Sequence, residues 1–85
     1  MELTMNHVKV VRKEVGMKQY VLAEMLNVEQ SNYANIENGK LITNKVPDII
    51  HNALTILIPE LDVKLAEANL KHSYLKHLRR EFVNY

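Results

Sequence analysis

Gln30, Ser31, Ala34 and Asn35 stand on one side of a short stretch with helical periodicity, while Tyr33 and Ile36 fall on the other. The chemistry open to the first set is hydrogen bonding to flat edges. An Asn or Gln amide pairs bidentately with adenine, a Ser hydroxyl donates or accepts, and an Ala methyl touches the methyl of thymine. A merely solvated helix would more often display Lys and Glu, whereas this outer side is nearly uncharged. No rival chemistry is spelled out elsewhere. Cysteine is absent, which excludes a disulfide framework, thiolate metal sites and thiol nucleophiles. His7, His51, His72 and His77 form no cluster with other ligands, and the last two are spaced so that they point to different faces of a helix. No nucleophile with a base beside it, no carboxylate pair and no glycine-rich phosphate loop can be found. Catalytic residues, metal ligands and cofactors are therefore not expected, and neither is an enzyme.

A readable surface needs elements that hold it outward. From Gln19 to Lys40 the apolar residues Leu22, Leu26, Val28, Tyr33 and Ile36 keep helical spacing up to Asn27 and restart it afterwards, which predicts two short helices across a tight turn. Asn27 tolerates the left-handed backbone such a turn demands, and the small Ala23 would let the two helices cross closely. The first of the pair should run from about Lys18 or Gln19 to Leu26, with Lys18 a poor cap that leaves Gln19 beside orphan amides. The second should cover about Gln30 to Asn38 and end at Gly39. Upstream, a helix from about Asn6 to Val15 is expected, with Thr4 or Asn6 as its cap and Gly16 as its stop; Val8, Val11 and Val15 would face the core. Met25 is expected in the core or at its edge.

This arrangement resembles the lambda-repressor-like (Cro and repressor, XRE) family of helix-turn-helix DNA-binding proteins. The resemblance rests on Gln19, Leu22, Ala23, Leu26, Val28, Ile36, Glu37, Asn38, Gly39 and Lys40, on Arg12 upstream, and on a weaker match to about Leu61. It implies that Gln30, Ser31, Ala34 and Asn35 meet base edges in the major groove. It also implies phosphate contacts from Gln19, Asn38, Lys40 and Lys45, with Asn32 and Tyr33 as additions. Arg12 would be held against Glu37, tying the first helix to the end of the third. Two positions depart from the family pattern. Glu29 replaces a Ser, Thr or Asn cap, so its charge would lie near phosphate or turn aside to stabilise the helix start. Tyr33 replaces an aliphatic residue, and its hydroxyl must find a partner or reach solvent at the DNA-facing edge.

After a loop from Lys40 to Val46, Pro47 suits the first turn of a fourth helix that carries Ile49, Ile50, Ala53 and Leu54. From Pro59 onward there is no Gly or further Pro, which predicts one amphipathic helix of about 23 residues, roughly 35 Å long. Leu61, Ala68, Leu75 and Phe82 recur every seven residues, with Leu65 and Leu78 on the same side. These six are the expected dimer interface, because so long an apolar side exceeds what a small domain can cover. His72 and Arg79 interrupt the seam, and packing back on its own domain is the alternative. The chain thus divides into a DNA-binding domain at 1–58 and a dimerisation element at 59–85.

At 85 residues, 47% of them hydrophobic, the chain can form one small helical core. Its net charge of +1 shows no bulk attraction for nucleic acid, so affinity would have to come from placing cations on one face. No stretch suits a membrane span, and charge interrupts the start too early for a signal peptide, so a cytoplasmic location is expected. The combined expectation is an all-α lambda-repressor-like domain of about five helices with an extended C-terminal helix. It would act as a transcriptional repressor that binds double-stranded DNA at a palindromic operator as a homodimer. The alternatives are an antitoxin, with a toxin as protein partner, a restriction-system controller of the same fold, or a protein-interaction module that has lost DNA binding. No membrane and no small molecule is indicated as a partner.

Overall fold

The computed structural model describes residues 3–67 and 73–83. Its helices are α1 (Met5–Glu14), α2 (Gln19–Met25), α3 (Gln30–Glu37), α4 (Val46–Glu67) and α5 (Ser73–Val83). No strand occurs among the described residues.

The first three helices end in the same way. After α1, Gly16 takes φ 76° while its N–H and that of Met17 donate to the carbonyls of Lys13 and Arg12. After α2, Asn27 takes φ 57° with its N–H on Glu24 and that of Val28 on Ala23. After α3, Gly39 takes φ 75° with its N–H on Ile36 and that of Lys40 on Asn35. Each is a Schellman ending, which occupies the last carbonyls and reverses the chain through one left-handed residue. Asn27 is the only one of the three with a side chain, and asparagine is among the residues that bear this conformation best. Thr4 opens α1, and its backbone N–H donates to His7 Nδ1 at 2.8 Å.

One core joins the helices. Val8 and Val11 of α1, Leu22 and Ala23 of α2, Tyr33 and Ile36 of α3, and Ile50, Ala53, Leu54 and Leu57 of α4 are buried together. Met25, expected at this core, lies on the surface.

The C-terminal half departs from the single helix expected after Pro59. Helix α4 continues through Pro59, so the division at 58/59 falls inside one element. A proline here removes the N–H that the Thr55 carbonyl would accept, a loss of roughly 3 kcal/mol in a helix interior. Packing on both sides of it outweighs that loss. Leu54, Leu57, Ile58 and Leu61 are buried along one face, whereas Pro59 is exposed, which leaves the defect on the solvent side.

Helix α5 then folds back along α4. Arg79 Nε donates to Asp62 Oδ1 at 2.9 Å, and the Phe82 ring stacks on His51 with centroids 6.1 Å apart. Leu61 and Leu78 are consequently buried inside the subunit, with no accessible surface, and neither can contribute to a dimer interface. Leu65 and Phe82 are partly buried against the same core. Ala68 and the side chain of Leu75 lie outside the described residues.

Candidate nucleic-acid interface

Helix α3 is amphipathic in an unusual sense, because its outer side is amide and hydroxyl rather than charge. Gln30, Ser31, Asn32 and Asn35 are exposed and Ala34 is partly so, while Tyr33, Ile36 and Glu37 are buried beneath them. The four residues expected to meet bases therefore share one accessible ridge. Ser31 donates its hydroxyl proton to the Glu29 carboxylate. That contact engages Glu29 on the exposed side of the helix start and leaves Ser31 as a hydrogen-bond acceptor toward a ligand.

The ridge is flanked by two concavities. One is lined by Lys9, Lys13 and Lys18 together with Gln19, Gln30 and Asn38. The other is lined by Asn27, Glu29, Asn32, Thr43 and Lys45. The structure thus places Gln19 and Asn38 on one side of the ridge and Asn32 and Lys45 on the other, with Lys40 exposed just past Gly39. Tyr33 is a correction to the expected phosphate contacts. Its side chain is wholly buried in the core, so it cannot touch a ligand on the surface.

Lys9, Lys13 and Lys18 are not among the expected phosphate contacts. Lys9 and Lys13 are four apart on α1 and so share a face, a spacing that could have marked them. Their approach to Lys18 and α3 depends on how α1 crosses α2, which periodicity does not give. Three ammonium groups beside an amide-rich ridge are suited to phosphate, where each neutralised charge releases counterions. Lys18→Ala is expected to weaken binding to every duplex alike and to flatten the slope of log affinity against log salt by about 1. Fluorescence titrations at several salt concentrations measure both, and a loss confined to one sequence would remove the backbone role.

Beneath the ridge lies the pairing of Arg12 with Glu37. Arg12 Nε donates to Glu37 Oε2 at 3.0 Å and Nη2 to Oε1 at 2.9 Å, while Nη1 donates to the Met17 carbonyl at 2.7 Å. Gln19 Nε2 adds a bond to Glu37 Oε1 at 3.0 Å. The fork ties α1 and the α1–α2 turn to the last turn of α3, and so fixes the tilt of the ridge. Burial alone would push the Glu37 carboxyl upward. The interactions with Arg12, with the neighbouring Tyr33 hydroxyl and with Gln19, together with the Arg12 charge, outweigh it and hold the carboxyl below its usual range. The hydrogen bond to Glu37 raises the Arg12 guanidinium despite its burial.

A short helix held outward on a second helix, amide-bearing on its free side and bordered by lysines, defines a helix-turn-helix domain of the DNA-binding kind. In agreement, residues 8–46, just under half of the chain, match the family described as Helix-turn-helix. Over those residues the chain is similar to Cro/C1-type helix-turn-helix domains, which supports the lambda-repressor-like resemblance and a DNA-binding transcription regulator in general terms. No curated protein and no solved structure matches the chain at a significant level. Among the described residues there is no group of His, Asp and Glu able to hold a metal ion, and no helix is long and apolar enough to cross a membrane.

Proposed function

We propose that the protein is a transcriptional repressor that binds a palindromic operator as a homodimer. The observation that carries this reading is the exposed ridge of Gln30, Ser31, Ala34 and Asn35 between two concavities that bear lysines. One ridge reaches only a few base pairs. Two copies related by a dyad would read two half-sites about 34 Å apart, the spacing of successive major grooves on one face. Of the expected seam, Leu65 and Phe82 keep part of their surface for such a partner. Repression needs no more than occupancy of an operator that overlaps a promoter, and occupancy is what these surfaces provide.

In this reading Gln30 and Asn35 pair with base edges, Ser31 accepts from an exocyclic amine, and Ala34 packs on a thymine methyl. Gln19, Asn32, Asn38, Lys40 and Lys45 hold phosphates and set the register. Asn35→Ala is expected to cost about 1–3 kcal/mol on the preferred duplex and to relax discrimination at one base step. Lys45→Ala should weaken matched and scrambled duplexes equally. Selection from a random duplex pool, followed by titration of both variants, tests the assignment. Recovery of an inverted repeat supports the dimer; recovery of a short unrepeated sequence, or equal losses for both variants on every duplex, would overturn it.

A further inference from the structure

Glu29 stands just before α3, where a short hydroxyl or amide side chain usually caps the free amides, yet its carboxylate caps none of them. Its backbone carbonyl accepts from Tyr33 N–H, so the first turn closes without help from the side chain. The carboxylate instead takes the hydroxyl proton of Ser31, and both residues are exposed. Glu29 borders two concavities, one shared with Gln30 and the other with Asn32 and Lys45. The Glu29–Ser31 pair therefore belongs to the reading surface and not to the scaffold beneath it.

We propose that Glu29 is a positioning residue for base readout: by holding the Ser31 hydroxyl proton it makes this end of the ridge select adenine or cytosine, whose major-groove edges bear an amino group, over guanine and thymine. The inference rests on the DNA-binding reading above. A free serine hydroxyl rotates to suit, and so accepts either kind of edge. A hydroxyl committed to a carboxylate does not, because a bond with one ionised member is roughly twice as strong as a neutral one. Adenine N6 and cytosine N4 offer a proton to the lone pairs left on Ser31 Oγ, whereas guanine O6 and thymine O4 set lone pair against lone pair. To satisfy a keto base, Ser31 would have to withdraw its proton from Glu29 and leave the carboxylate one donor short. Glu29 thus decides the preference without touching the base.

The probe is a duplex that the parent protein selects from a random pool, with each position then changed to all four bases in turn. In the parent, one position should favour the amino bases over the keto bases by about tenfold, within the usual range for one recognised base edge. Glu29→Gln presents an amide that can donate or accept, so the preference there should shrink to about threefold or less. The fold should be kept, because the side chain caps no amide. Ser31→Ala should abolish the preference, and adding Glu29→Gln to it should change nothing further at that position. No such position in the parent, a preference undiminished in Glu29→Gln, or one that survives Ser31→Ala would overturn the inference while leaving the DNA-binding reading intact. A parent protein that binds no duplex at low salt would overturn both.

Discussion

Glu37→Ala is expected to destabilise the free protein by about 3–5 kcal/mol, the usual consequence of leaving one member of a buried ion pair without its partner. Arg12 is the member left behind, with 8% of its side chain accessible and two of its three donor nitrogens directed at the missing carboxylate. Domains have only about 5–15 kcal/mol in total, so this variant should be substantially unfolded under mild denaturant. Replacing both members, Arg12→Met with Glu37→Leu, should recover most of the loss, since apolar pairs of similar size pack without a charge to desolvate. Urea titrations of the parent, the single and the double variant measure the sequence. A single variant as stable as the parent would show that the fork contributes nothing to holding α1 on α3.

The same pair sets a dependence on pH. The Glu37 carboxyl titrates lower in the folded protein than its ordinary value of 4.5, so the unfolded chain binds the proton first as pH falls. Its stabilisation is complete above that ordinary value and is lost as pH falls through the depressed folded one. The melting temperature should therefore decline below about pH 4.5, and more shallowly in Glu37→Gln, which cannot titrate.

Leu78→Ala should cost about 2–5 kcal/mol, the range for removing a fully buried leucine from a core that closes only partly over the gap. Leu78 has no accessible surface, and around it α5 is fastened to α4 by the Arg79–Asp62 bond and the Phe82–His51 stack. The loss should appear in unfolding of the subunit itself, with the same midpoint shift at low and high protein concentration. A residue of a dimer seam would behave differently, giving folded monomers whose appearance depends on concentration. Denaturant unfolding at several concentrations, with sedimentation in parallel, separates the two. A folded, dissociated Leu78→Ala subunit would show that α5 belongs to a partner contact instead of the subunit core.

The N-terminal half was legible because its punctuation is local. Gly16, Asn27 and Gly39 each mark a left-handed residue that ends a helix, and the apolar spacing between them allows few other readings. Arg12 and Glu37 could be paired only through a family resemblance, since they are distant in sequence and no spacing rule joins them. The C-terminal half misled for a physical reason. Leu61, Leu65, Leu78 and Phe82 have the same spacing whether the helix that bears them meets a second chain or returns on itself. Without Gly or Pro after position 59 no turn is announced, and the break in the seam at Arg79, which here bonds Asp62, leaves the return only as the lesser alternative. Pro59 compounds the error, because a proline that normally opens a helix lies here on the exposed side of one already anchored by leucines.

Tyr33 and the lysines mark a second limit. A tyrosine on a recognition helix invites a surface role by its hydroxyl, yet the ring fills the space between α3 and the rest of the core. Lys9, Lys13 and Lys18 vanish in a net charge of +1 and become a cluster only when α1, the start of α2 and α3 are brought side by side.

The three left-handed endings also bear on the order in which the chain assembles. Each reversal is closed by hydrogen bonds spanning only one turn, so its direction depends on no contact distant in sequence. The slow part of reaching the native topology then falls to α4 and α5, whose contacts join positions as far apart as His51 and Phe82.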